Sequence, residues 1–449
     1  MTIAQTLATF LTETRYDDLP ELPLEHAAMI VASTLASAAC GTDIESARIV
    51  RDLARAQGGR SDASLWFDKG TKLPIASAAR VNAMMSDAAA SDDSDLRNIV
   101  HAGTPLTAVS LAVAEHTGAD GQQILAAIVL GYEAAGRIAG AITPGFNHKG
   151  FHGCLGAIFA AGTAGARLLG LDALQTAHTI ALCATSMGGL MAAANTSVAR
   201  EYHAGLAALL GLEAAQAARA GYTAELGILE AERGFCAVFG DSDAGTIVHD
   251  LGHEWDIVTD MAIKLVPGGH PYHALGEAAA NAARAGNVDP QAVQAIIISR
   301  PGMHTLSEPL HPVDLIDMAH SPAYFVAAGT ADRTFGWEHA SPQKIADPII
   351  HRLIDKVRVE APPTEDVAAY RQGATVTIQT VSGQRFSSTV HVPKGAGCLG
   401  IEWADIDAKY RTLTPRAPLS AGQVEASLSC IHHLDRIQNV RELLDLLLD

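Results

Sequence analysis

Apolar runs at helical spacing dominate the first half of this chain, at 23–39, 104–116, 120–141, 156–169, 174–187 and 203–220. Apolar residues recurring every three or four positions line one face of a helix, and the glycines that separate many of these runs suit helix ends. Large side chains are scarce. Aromatics make up 5% of the chain, against 40 glycines and an apolar content that is mostly Ala, Leu, Ile and Val. Alanine is the best helix former, and small residues let helix axes approach closely. A bundle of tightly packed helices is therefore predicted as far as about Gly240.

The texture changes after Lys264. The run VQAIIIS at 293–299 is of β type, and 356–360, 374–380 and 384–392 alternate or are β-branched, with a Ser382-Gly383 turn signal between the last two. Helical segments at 276–285 and 322–329 lie among them. From about Trp403 the pattern is helical again, ending in VRELLDLLLD. With 449 residues the chain exceeds one ordinary core. The expected fold is mainly α: a large all-helical domain at 1–264, an inserted smaller α+β lid domain at 265–402, and C-terminal helices at 403–449 returning to the first domain.

A hydrophobic fraction of 48% with 18% charged residues supports large cores and argues against disorder. The formal net charge of −18 gives no general attraction for nucleic acid or anionic membranes. Any cationic site for an anion must then be local. The six cysteines are scattered with no CxxC pair, so neither a zinc framework nor a disulfide scaffold is expected. The acidic N-terminus lacks the basic and apolar regions of a signal peptide. Reduced thiols and a cytoplasmic location are the expectation. Segment 124–142 carries Glu133 and Arg137, which favours a core helix over a membrane span.

The sequence has no GxSxG, Walker, GxGxxG or HExxH pattern. Ser86–Asp95 reads as an acidic loop of small residues. Four clusters of cationic or titratable residues remain. One is His101 in VHAGTPLTAV, and another is NHKGFHG with His148, Lys149 and His152 at a helix start, where partial positive charge favours anions. A third is NTSVAREYHAG, with Arg200 and His203 just ahead of a small-residue helix. The last is IKLVPGGHPYHA, with Lys264, His270 and His273 at the domain junction, a favoured place for ligands. Taken singly, His101 reads as a structural or capping histidine, Lys149 as a solvated side chain, and Arg200 as half of an ion pair. Together the clusters place cations beside Gly, Ala or Pro in a cation-poor chain. The planar fork of Arg200 suits a carboxylate.

The segments VHAGTPLTAVSLAVAEHTGADGQQILAAIVLGYEAAGRI, GFHGCLGAIFAAGTAGARLLGL, AREYHAGLAALLGLEAAQAARAGYTAELGILEAERGF, IKLVPGGHPYHA and HSPAYFVAAG together resemble the MmgE/PrpD family, in order and across most of the chain. The resemblance implies a homodimer with no metal or organic cofactor, and an active site in the cleft between the domains. It matches His101, His152, His203, Lys264 and Tyr324 to family positions; the expectation is that His152 and Lys264 are the catalytic pair, with His101, Arg200, His203, His273 and Tyr324 binding a small di- or tricarboxylate. Dehydratase and decarboxylase members usually carry H-A-x-D-F-D-D, where this chain has Asp87-Ala88-Ala89-Ala90-Ser91-Asp92-Asp93. The usual lysine three residues before His203 is Arg200. Two proton-trading side chains are thus lost or replaced by one that cannot trade.

Removing a proton beside a carboxylate needs a positioned base and stabilisation of developing negative charge. Dehydration and decarboxylation also need an acid for the leaving group or the new carbanion. Epimerisation needs only a base on one face and a donor on the other. The departures at Ala90 and Arg200 favour epimerisation of a dicarboxylate such as iminodisuccinate. A lyase of the 2-methylcitrate dehydratase or cis-aconitate decarboxylase type is the alternative, and a non-catalytic carboxylate-binding protein is the third reading.

Overall fold

The expected helices form with their apolar faces inward. In a computed structural model describing residues 1–186, 188–240 and 243–448, they are α1 (Glu21–Gly41), α2 (Ile75–Ala88), α3 (Gly103–Thr117), α4 (Gly121–Ala141), α5 (Cys154–Leu168), α6 (Ala173–Ser186) and α7 (Ala199–Arg219). Met187, the last residue of the run expected at 174–187, and Asp449, the last of VRELLDLLLD, lie outside the described residues. α4 opens with an Asp120 capping box that satisfies the free N–H groups of its first turn. α1 and α4 are long and apolar enough to cross a bilayer, but 83% and 89% of their most apolar windows is buried within the protein. They are core helices, and Glu133 of α4 is held there by Arg137 and by the Asp256 amide.

The chain divides into two compact units, 1–263 with 402–449, and 264–401. The helices α11 (Trp403–Leu413) and α12 (Ala421–His432) belong to the first unit, where the buried Lys409 of α11 reaches Ser33 of α1 and the Ser91 carbonyl.

Two expectations for the first unit are corrected. It is not wholly helical, because β1 (Asp93–Asp95) pairs antiparallel with β2 (Met261–Ile263), Asp93 standing opposite Ile263. Nor is 86–95 a loop: its first residues finish α2, its last form β1, and all ten are buried. Carboxylates tolerate such burial only when they are paired or hydrogen-bonded, and the partners lie around the site described below.

The second unit is built on a four-stranded sheet of β3 (Val293–Ser299), β4 (Val357–Val359), β5 (Ala374–Thr380) and β6 (Arg385–Val390), in the order β4-β3-β5-β6. β3 runs parallel to β4 and antiparallel to β5, and β5 is antiparallel to β6. Every second residue of β5 is buried, the period-2 pattern of a strand with one covered face. Leu275 and Ala278 of α8 (His270–Ala285), Phe325 of α9 (Pro322–Asp332) and Leu353 of α10 (Pro348–Ile354) share its core with Ile296, Ile298, Val376 and Ile378.

Candidate active site

Two expected helix starts fall too late in the sequence, with consequences for the site. α7 begins at Ala199 and α8 at His270. Arg200 and His203 therefore lie inside the first turns of α7 rather than ahead of it, and His270 and His273 inside those of α8. A polar first turn hides the apolar period by which a helix is read from sequence.

In the first unit three imidazoles form a row. The rings of His101 and His152 are 6.1 Å apart between centroids, and those of His152 and His203 are 5.2 Å apart. Each comes from a different place: His101 from the loop between β1 and α3, His152 from just before α5, and His203 from α7. The His152 backbone N–H donates to the Gly189 carbonyl at 2.9 Å, fixing its approach.

His101 is held by the residues that were expected to be a loop. Its Nδ1 lies 2.7 Å from the Asp93 carbonyl oxygen and 2.9 Å from Asp92 Oδ2. A carbonyl oxygen can only accept, so Nδ1 carries the proton. The turn before His101 is over-determined. Ile99, a β-branched residue, has φ +56°, a conformation such side chains rarely adopt. The Asp95 amide donates to the Val100 carbonyl at 2.8 Å and the Ile99 amide to the Asp95 carbonyl at 2.7 Å, which offsets that strain. Helix α3 then starts against Asp93, whose carboxylate accepts the Gly103 N–H at 3.1 Å. A Cβ at Gly103 would sit 2.6 Å from Asp93 Oδ1.

Electrostatics favour neutral imidazoles in the row. Burial depresses the His152 pKa well below its ordinary 6.5, helped by His101, His203 and Arg200, with Asp92 opposing. Burial also lowers that of His203, against the pull of Asp87. Cys154, in the first turn of α5 beside them, has its thiol pKa pushed up to about 12 by desolvation.

Arg200 is partly buried and already engaged. Its Nε donates to Asp87 Oδ2 at 3.1 Å and its Nη2 to the Asp87 carbonyl at 2.6 Å. Burial opposes its charge, yet Asp87, Asp92 and Glu201 outweigh that and raise its pKa. Asp87 and Arg200, the two residues read as departures from the resembled pattern, thus form one ion pair. Two donors of the fork expected to clamp a substrate are held by Asp87.

The remaining expected residues lie in the second unit. Lys264 is buried and follows β2 directly. His273 is buried, its Nε2 is 3.3 Å from the Gly268 carbonyl, and its ring lies 4.5 Å from that of His270. Tyr324 is fully buried, and its hydroxyl donates to the His339 carbonyl at 2.8 Å, so in this conformation it is committed within the unit's own core. Elsewhere in the first unit, Arg97, Arg137, His249, Asp256 and Asp260 line a polar recess of about 810 Å³ that none of the expected residues borders. Sequence reasoning gave no role to Asp92, Asp93 and Cys154. An acidic run flanked by two apolar helices was the available signal for the aspartates.

Fold and site together define a mainly helical protein of two units, with a row of three imidazoles in the first. The chain matches the MmgE/PrpD N-terminal domain over residues 5–246 and the MmgE/PrpD C-terminal domain over 267–431. It belongs to the MmgE/PrpD family. It is similar to cis-aconitate decarboxylase of Mus musculus, with 22% identity over 462 residues that span 99% of this chain and 93% of the relative.

Proposed function

We propose that the protein is a cofactor-independent carbon-acid enzyme. It abstracts and returns a proton alpha to a carboxylate of a small di- or tricarboxylate, with epimerisation of iminodisuccinate as the reaction. The observation that carries this reading is the row of three imidazoles, two of them held neutral by burial. A neutral imidazole with an accessible lone pair is a general base at neutral pH. His152 takes the proton, Lys264 serves the opposite face, and His101, His203 and His273 bind the carboxylates.

The Asp87–Arg200 pair supports epimerisation over elimination. Arginine does not give up its proton in proteins, and Asp87 is bound to it. Fewer groups are then left to protonate a departing hydroxyl or a carbanion created by loss of CO2. Arg200 contributes positive charge close to the row, tempered by its partner. The second reading is a lyase, favoured by the likeness to cis-aconitate decarboxylase over nearly the whole chain.

Incubation in D2O with each candidate acid separates these readings. The epimerase gains deuterium at the alpha carbon, with no unsaturated product and no CO2. Ultraviolet absorbance of an unsaturated acid, or CO2 release, establishes the lyase instead. If neither occurs and carboxylates only raise the melting temperature, the protein is a binder.

A further inference from the structure

His152, Cys154 and His203 converge more tightly than proton transfer requires. One ligand-type atom from each lies within 4.8 Å of the other two, and all three residues are buried. His152 Nδ1 and His203 Nδ1 have no hydrogen-bond partner among the described residues. The Cys154 thiol lies 3.7 Å from the His152 carbonyl and 3.4 Å from the Gly188 carbonyl. A Cβ on Gly189 would meet Cys154 Sγ at 2.5 Å and the His203 ring at 3.3 Å, so the main chain there lies against both groups.

We propose that this His–Cys–His cluster binds one zinc ion, which enters as an inhibitor of the site rather than as its cofactor. Nitrogen and sulfur donors select a borderline-soft ion over Mg²⁺ or Ca²⁺. Zinc bonds of about 2.0 Å to nitrogen and about 2.3 Å to sulfur place donor atoms about 3.3–3.5 Å apart. Side-chain rotation of about 1 Å closes the present spread to that size. Three protein ligands leave a fourth position for water or a carboxylate. A second grouping, Asp87, Asp92 and His101, also has the spacing of a metal site. It is the weaker candidate because Asp87 is held by Arg200 and Asp92 by His101. On zinc binding the Cys154 thiol forms a sulfur–zinc bond and loses its proton to solvent, while the imidazoles donate existing lone pairs.

The binding claim rests on the cluster alone, and only the inhibition rests on the proposed function. Zn²⁺ is titrated into chelator-stripped protein in competition with a chromophoric chelator, with Mg²⁺ as the control. The expected result is one zinc per chain with a Kd of micromolar or below, weakened at least tenfold in Cys154→Ser and in His203→Gln, and no Mg²⁺ binding. Co²⁺ as a substitute gives a thiolate-to-metal charge-transfer band in the unmutated chain, a readout independent of how the variants fold. Zinc affinity unchanged in Cys154→Ser, or a Co²⁺ complex without that band, overturns the proposal. Absence of deuterium exchange in metal-free protein sinks the proposed function and leaves the zinc result standing.

Discussion

His152 sits between two other imidazoles and near a guanidinium, so every close cation opposes its protonation while burial removes the water that would support it. Its folded pKa lies below the unfolded value of about 6.5. Above pH 6.5 both states hold the neutral ring. As pH falls below 6.5 the unfolded chain takes up the proton first, so this residue's contribution to stability is lost as pH falls toward the folded pKa. The same depression keeps the base competent in mild acid. The acid limb of kcat/KM for alpha-proton exchange is expected below pH 6.5, and a midpoint at or above 6.5 would show that a different group is the base. His101, His152 and His203 were singled out by their Gly- and Ala-rich settings in a cation-poor chain and by the family resemblance, and the structure brings the three rings together. The Asp87–Arg200 pair was not readable, because its halves lie 113 positions apart and pairing across that distance exists only after folding. The hydroxyl of Tyr324 is a similar case, since its His339 partner comes from a short 3-10 turn that follows its helix.

The row exists because α5 and α7 lie very close together, and small residues make that approach. A Cβ on Gly211 of α7 would come within 2.7 Å of both the Ala161 side chain and the Ile158 carbonyl of α5. The backbone cannot yield as a flexible side chain could. Gly211→Ala gains about 1 kcal/mol of helix propensity but must push the helices apart, a strain of about 1–3 kcal/mol. A net loss of stability is expected in urea unfolding. Exchange should slow as well, because α7 carries His203 and α5 follows directly on His152. Stability equal to or above that of the unmutated protein would show that the helices have room to move. At this scale the sequence was most legible: the Ala-rich runs became α1 and α3–α7, and the β-type runs became the sheet. The starts of α7 and α8 were missed because arginine and histidines occupy their first turns. The acidic run at 86–95 was misread because carboxylates so seldom enter a core.

For the molecule as a whole, composition foretold that the C-terminal segment would be helical, but the contact that fastens it was hidden. Lys409 of α11 is 2% exposed and carries its ammonium to Ser33 of α1, with Nζ to Oγ at 2.7 Å, and to the carbonyl of Ser91. Ser91 immediately precedes Asp92, the carboxylate facing His101. One side chain from near the end of the chain thus ties a terminal helix, a core helix and the segment behind the imidazole row. Lys409→Met keeps an unbranched apolar stem, one heavy atom shorter, and removes the donor. The Ser91 carbonyl and the Ser33 hydroxyl each lose a partner, at about 1–3 kcal/mol per buried group. Losing the cost of burying a charge offsets part of this, leaving a net destabilisation of about 2–4 kcal/mol, measurable as a lower urea midpoint. Because Ser91 is released as well, kcat/KM for exchange should fall together with stability under conditions where the variant is fully folded. A variant that loses stability but retains full exchange would confine Lys409 to fastening the helix. Unchanged stability would show that the C-terminal helices are held by their apolar contacts alone.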